Sequence, residues 1–214
     1  MRFISKNLLV TGGSGFIGSN FIKYLLGKYN YINIINLDKL TYASKINNLK
    51  SIKSNKRYKF IKGDICDNKL VKSIFLDYKI DGVINFAAET HVDNSISNPS
   101  VFIRTNINGL FNLISIAYDS WMGKPFHVKK NFSLARFHQI STDEIYGSTD
   151  NESFNEGSRY KPNSPYSASK AAADMLVRSF NKTYGLNTSI SISSNNFGTN
   201  QHVEKFIPKV INCL

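Results

Sequence analysis

Short runs rich in β-branched and aromatic residues punctuate the chain and alternate with longer helical patterns. The runs NLLVT (Asn7 to Thr11), NIINL (Asn33 to Leu37), YKFIK (Tyr58 to Lys62), GVINF (Gly82 to Phe86), FHQIS (Phe137 to Ser141) and TSISIS (Thr188 to Ser193) read as strands. Helices are predicted from Gly15 to Lys28, Lys69 to Tyr78, Pro99 to Tyr118 and Pro165 to Tyr184, with one more beginning near Glu204. The segment from Asp119 to Ala135 reads as a basic loop. No repeat or low-complexity segment interrupts the alternation, which predicts an α/β fold: a doubly wound parallel sheet with helices on both faces.

Composition narrows this picture little. The 214 residues, 42% of them hydrophobic, suffice for one domain, or one domain and the start of another. The longest apolar runs fall far short of the roughly 20 residues of a membrane span, and the N-terminal MRFISKNLLV reads as a first strand and not as a signal peptide. Cys66 and Cys213 have neither metal-ligand spacing nor a disulfide framework, which suits a reducing cytoplasm. The formal net charge of +12 raises the question of a nucleic-acid partner. The lysines are scattered, with the densest cluster in GKPFHVKKNFSLAR from Gly123, so no nucleic-acid partner is expected; the short apolar runs and the cysteine spacing likewise lead to no membrane or metal being expected.

Chemistry enters at the first strand, which runs into TGGSGFIG. Gly12, Gly15 and Gly18 stand three apart at a strand-to-helix turn, where glycine lets the backbone approach a pyrophosphate and a helix N-terminus offers free N–H groups. The second strand leads into Asp38, 20 residues after Gly18, where a carboxylate accepts ribose hydroxyls and repels a 2′-phosphate. The pattern is that of a Rossmann-type fold, and it predicts NAD in preference to NADP. Asp64 ends the third strand, suited to the adenine edge, and Ala87 and Ala88 after the fourth leave room for the cofactor.

In NSPYSASKAAAD, Ser164 is suited to cap a helix and Pro165 to open it, so Tyr166 and Lys170 share one face at i and i+4. An adjacent ammonium and a cationic nicotinamide would favour the phenolate, making the tyrosine a usable base near neutral pH. Asp143 and Glu144, at the end of the fifth strand, would point to opposite faces if the strand continued, so both can meet one cavity only where it has ended.

Through TGGSGFIG, Asp38 and YSASK the chain resembles the extended short-chain dehydrogenase/reductase family. Through NLDKLTYAS, GDICD, FAAETHVDNSI, FIRTN, STDEIYG, SPYSASKAA and SSNNFG it resembles the dTDP-glucose 4,6-dehydratase branch in particular. The resemblance implies a lyase of nucleotide-sugar metabolism, serving rhamnose and deoxysugar precursors. Tyr166 would deprotonate the C4 hydroxyl of the glucose while NAD takes the hydride. Thr142 would hydrogen-bond the C4 oxygen, Glu144 would remove the C5 proton, and Asp143 would protonate the departing C6 hydroxyl before the hydride returns to C6. Adjacent carboxylates suit this because mutual repulsion raises one pKa. Another nucleotide-sugar dehydratase, a 4-epimerase, or a chain that only binds NAD are the alternatives.

The same resemblance places Gly12, Gly15, Phe16, Ile17, Gly18, Asp38, Lys39, Leu40, Thr41, Asp64 and Ile65 at the cofactor. It adds Phe86, Ala87, Ala88, Glu89, Thr90, Thr105, Tyr166, Lys170 and Asn196 to that set, and places Thr90, Thr142, Asn195, Lys205 and Phe206 at a nucleotide-diphosphate sugar. It implies a homodimer paired through the helices from Pro99 and Pro165. Family members continue well past this C-terminus, so residues 1–198 read as the NAD-binding domain and 199–214 as the start of a substrate lobe that is mostly missing. Ile192 stands where the family usually has arginine, and Thr199 and Val203 where prolines are usual. Of the histidines, His91 and His138 read as local hydrogen-bonding residues, and His127 and His202 as exposed.

Overall fold

The computed structural model describes residues 5–149, 153–203 and 205–213. Its main sheet has six strands: β1 (Asn7–Thr11), β2 (Asn33–Asp38), β3 (Tyr58–Lys62), β4 (Gly82–Asn85), β7 (Arg136–Thr142) and β8 (Thr188–Ser193). They lie in the order β3-β2-β1-β4-β7-β8, and every pairing is parallel. The strand order reverses at β1, which pairs with β2 on one side and β4 on the other, and such a reversal opens a crevice at the carboxyl ends of the strands.

Strand alternation builds two cores. Leu9, Ile35, Leu37, Val83 and Phe137 face one way, onto Val71, Ile74 and Phe75 of α2 (Asn68–Tyr78), Leu110 and Leu113 of α5 (Leu110–Trp121), and Val177 and Phe180 of α6 (Pro165–Tyr184). Leu8, Val10, Ile34 and Ile84 face the other way, onto Ile22, Leu25 and Leu26 of α1 (Phe16–Lys28). Burying each such side chain contributes about 1.5–3 kcal/mol, so both faces of the sheet are anchored and its carboxyl edge is held rigid. Helix α6 begins as predicted: the Ser167 amide donates to Ser164 Oγ at 3.0 Å, the Ser164 amide donates back to Ser167 Oγ at 3.0 Å, and Pro165 opens the first turn.

The helix expected from Pro99 to Tyr118 is present, running without a break through α4 (Pro99–Phe102), a π-helical stretch Ile103–Gly109 and α5, while α3 (Val92–Ser97) precedes it where no element was expected. Within the wide turn, buried Asn106 accepts from the Glu89 amide at 2.8 Å and donates to the Glu89 carbonyl at 3.1 Å and to Ser169 Oγ at 2.8 Å, bonds that tie the helix to the loop after β4. The basic loop from Asp119 to Ala135 contains the end of α5 and an antiparallel hairpin of β5 (Met122–Lys124) and β6 (His127–Val128). A 3₁₀ segment, Ile46–Ile52, buries Leu49 against α1 where no element was expected. Glu204 lies outside the described residues; the last helix, α7 (Phe206–Cys213), buries none of its own. Among the described residues no helix is long and apolar enough to cross a membrane.

Candidate nucleotide and catalytic site

The glycine turn is shaped by close approach. Gly12 has φ +66°, and a Cβ there would lie 2.6 Å from the Ala87 amide nitrogen; a Cβ on Gly18 would lie 2.5 Å from the Gly12 carbonyl oxygen. Helix α1 begins at Gly15 with no side-chain cap and no acidic residue in its first turn, so its leading N–H groups face the crevice without a competing anion. This backbone cradle, too tight for any side chain, fits a pyrophosphate.

Asp38 is held in place by three donors: the Ser14 amide at 2.9 Å, the Leu40 amide at 2.8 Å and Ser44 Oγ at 3.0 Å. Two carboxylate oxygens offer about four acceptor sites, which leaves room for a ribose hydroxyl. Replacing Asp38 with asparagine would turn an NH₂ group toward these donors and is expected to cost about 1–3 kcal/mol, measured as a lower urea midpoint of the chain alone. Asp64 is bridged by Lys39 at 2.9 Å and Arg104 at 3.5 Å. Burial would raise its carboxyl, but the Cys66 amide and Lys39 outweigh burial and hold it below the usual range.

β7 ends at Thr142, whose hydroxyl accepts from the Glu144 amide at 3.3 Å and opens a 3₁₀ turn, Asp143–Tyr146. The strand has therefore ended before the two acids, as their adjacency required. Tyr166 is buried beside Thr142, whose hydroxyl favours the phenolate, and Lys170 Nζ donates to the Ile140 carbonyl at 2.5 Å. Burial first, and then the nearby Glu144, push the Tyr166 phenol up to about 12. Burial pulls Lys170 down to about 8. The expected lowering of the phenol needed a cationic nicotinamide as well as Lys170; in the chain alone Lys170 is not among the groups that shift the phenol, and the tyrosine stays protonated at neutral pH. Glu144 is raised by burial and then by Asp143, while Lys205 opposes the shift.

One cleft of about 320 Å³ runs along the carboxyl edge of the sheet and gathers the expected site residues, with three exceptions. Leu40 contributes only its amide, from a backbone with φ +60°. Asp143 is half-buried beside the cleft, within 3.4 Å of Thr142 Oγ1. Phe206 is 80% exposed at the start of α7. Residues not foreseen also line the cleft, among them Ser44, Ser141, Ser193 and Gln201. His202, expected to be exposed, is half-buried in the cleft with its ring perpendicular to Tyr42 at 5.7 Å. It gets there because the segment after β8 folds back on α1, where Asn20 donates to the Thr199 carbonyl at 2.8 Å, and no local signal marks that return. His91 caps α3, His138 bonds Ser189 and Ser191 across the β7–β8 pair, and His127 is exposed. Ile192 packs with Tyr146 and Ala171 in a small apolar cluster, so no charged side chain is required there by its neighbours.

A glycine cradle, a ribose-level carboxylate and a Tyr–Lys pair in one cleft describe a large group of enzymes, and comparison with known proteins narrows it. The family model for GDP-mannose 4,6 dehydratase matches residues 9–214. The chain belongs to this family. Within it, a dTDP-glucose 4,6-dehydratase of Haemophilus influenzae is 48% identical over 207 residues, covering 96% of this chain and 60% of that protein. The crystal structure of a dTDP-glucose 4,6-dehydratase from Streptomyces venezuelae with NAD and TYD bound superposes with a TM-score of 0.86 at 42% identity, covering 96% of this chain and 61% of that one. A UDP-glucose 4-epimerase of Thermus thermophilus in complex with NAD is more distant, with a TM-score of 0.79 and 27% identity over 97% of this chain and 60% of that one. The chain spans about 60% of the length of the curated relatives it matches.

Proposed function

We propose that this chain binds NAD in the cleft and carries the reacting side chains for dehydration of dTDP-glucose to dTDP-4-keto-6-deoxyglucose. The observation that carries the reading is the meeting of Glu144 with Tyr166 at one end of the cleft, close enough for the carboxylate to raise the phenol. Oxidation of an alcohol needs one base; a following elimination of water needs a second base and an acid. The similarity to dTDP-glucose 4,6-dehydratases, stronger than that to 4-epimerases, supports the same choice.

NAD, when bound, supplies the hydride acceptor and a positive ring charge that favours the tyrosinate. The glycine turn would hold its pyrophosphate, Asp38 its ribose and Asp64 its adenine. Tyr166 would take the C4 hydroxyl proton beside Thr142, Glu144 the C5 proton that the 4-ketone has acidified, and Asp143 would protonate the departing C6 hydroxyl; return of the hydride to C6 and of a proton to C5 would complete the 4-keto-6-deoxy product with the cofactor oxidised again. Thr90, Asn195 and Lys205 would meet the nucleotide sugar, with Lys205 the cation nearest Glu144 in effect. In this reading residues 1–198 are the NAD-binding domain and 199–214 open the sugar-nucleotide lobe. Exposed Phe111 on α5 and Met175 on α6 support a homodimer paired through these helices, and the free thiols of Cys66 and Cys213 suit the cytoplasm.

The test has two parts. NAD at 100 times its dissociation constant is expected to add about 2.7 kcal/mol of stability, roughly a 5–10 °C rise in melting temperature for a chain of this size, with NADP giving much less. An unchanged melting temperature rejects the cofactor site. Incubation with dTDP-glucose should then yield a 4-keto-6-deoxy product, read by its absorbance in alkali. Formation of the C4 epimer without the keto product, or NAD binding with no product at all, rejects the dehydratase.

A further inference from the structure

Helix α6 places Tyr166, Lys170 and Asp174 one turn apart on one face, against three consecutive residues at the end of β7. Tyr166 lies by the Thr142 hydroxyl, Lys170 Nζ donates to the Ile140 carbonyl, and Asp174 Oδ2 accepts from Ser141 Oγ at 2.5 Å. The first two belong to the chemistry proposed above; the third has no part in it. Yet Asp174 is only 1% exposed, and its Oδ1 has no hydrogen-bond partner among the described residues. A buried carboxylate with an unfilled oxygen is costly unless an opposite charge lies close. Lys170, itself 5% exposed, stands one turn away at i−4 with a single carbonyl as its hydrogen-bond acceptor.

We propose that Asp174 is a positioning residue: from inside α6 it supplies the counter-charge of Lys170 and, through Ser141, clamps the strand end on which Thr142 and Glu144 are mounted. The proposal rests on the catalytic reading for its purpose, but the burial of both groups, their i, i+4 spacing and the Ser141 hydrogen bond belong to the chain alone. Burial lowers Lys170 and Asp174 opposes that fall; burial raises Asp174 to about 6, against the effects of Ser141 and Lys170. The other titrating groups that Asp174 acts on are Tyr166 on α6, Tyr146 in the turn after β7 and Tyr160 in the loop before α6, all pushed upward, with Arg178 opposing at Tyr160.

The test is the ζ-nitrogen NMR titration of Lys170 in the whole chain labelled with ¹⁵N-lysine, without cofactor or substrate. The wild-type midpoint is expected near about 8. Asp174→Asn, which keeps the shape and removes the charge, should lower it by about one pH unit or more, and Asp174→Glu should restore part of the loss. A midpoint that stays in place in Asp174→Asn overturns the proposal. Should that variant fail to fold, the wild-type signal decides: the Lys170 resonance should show a second inflection near the Asp174 midpoint of about 6, and a single-step titration overturns the proposal. Because the readout needs neither NAD nor turnover, failure of the dehydratase reading leaves it intact, and its own failure leaves that reading intact.

Discussion

Replacing Tyr166 with phenylalanine is expected to lower turnover of dTDP-glucose by about 10²–10⁴-fold, the usual contribution of a positioned acid–base group, while leaving the NAD-dependent rise in melting temperature unchanged. Only the hydroxyl is removed, and the ring keeps its place, edge-on to Phe102 at 6.3 Å between centroids. Thr142 still accepts from the Glu144 amide, so the strand end should keep its shape. The raised phenol pKa adds a second signature. A tyrosine held near 12 by burial and by Glu144 is an effective base only when positive charge enters the cleft, so in Glu144→Gln the Tyr166 phenol of the free chain should titrate at lower pH. Tyrosinate absorbance in the absence of NAD would record that shift; an unmoved titration would mean that Glu144 does not act on the phenol. Turnover in Tyr166→Phe within about ten-fold of that of the unaltered chain would refute the assigned role.

Gly12→Ala should be the most damaging single-methyl change in the crevice. At φ +66° an alanine costs about 1–2 kcal/mol, and its methyl would sit 2.6–2.8 Å from the backbone of Phe86 and Ala87, which cannot swing aside as a side-chain tip can. Forcing those strand ends apart should bring the loss to about 3 kcal/mol or more, a fall in melting temperature of roughly 6–12 °C. The NAD-dependent stabilisation should disappear with it, because the displaced loop after β4 forms the opposite wall of the cleft. Gly27, inside α1 and with nothing within 4 Å of the place a methyl would take, is the control: Gly27→Ala should stabilise the chain slightly through helix propensity. Equal melting temperatures for the two variants would contradict the steric account.

How far each part of the site was legible depended on how local its cause was. The glycines, Asp38 and the Ser164–Pro165 start of α6 are specified by neighbours within a few residues, and the structure has them where the spacing implied. The π-helical stretch was not legible, because it turns on Asn106 finding Glu89 and Ser169, 17 and 63 residues away. Nor was the hairpin of β5 and β6, whose strands are three and two residues long and too short to show a periodicity. His202 and Ser44 joined the cleft through loops that fold back upon it. Asp174, midway along α6, carries no local signal, because its part depends on that turn of the helix facing β7.

The amino-acid pattern by itself determined the order of strands and helices, the two-sided sheet, the phosphate turn and the pairing of Tyr166 with Lys170 on one helical face, since alternation, capping and helical spacing are all written into short stretches. Tertiary structure alone decided what those residues can do. Whether Tyr166 is protonated, which atom Lys170 bonds and whether Asp174 is charged depend on how completely water is excluded and on which distant groups fill its place, and those conditions arise only once β7 and α6 have packed together.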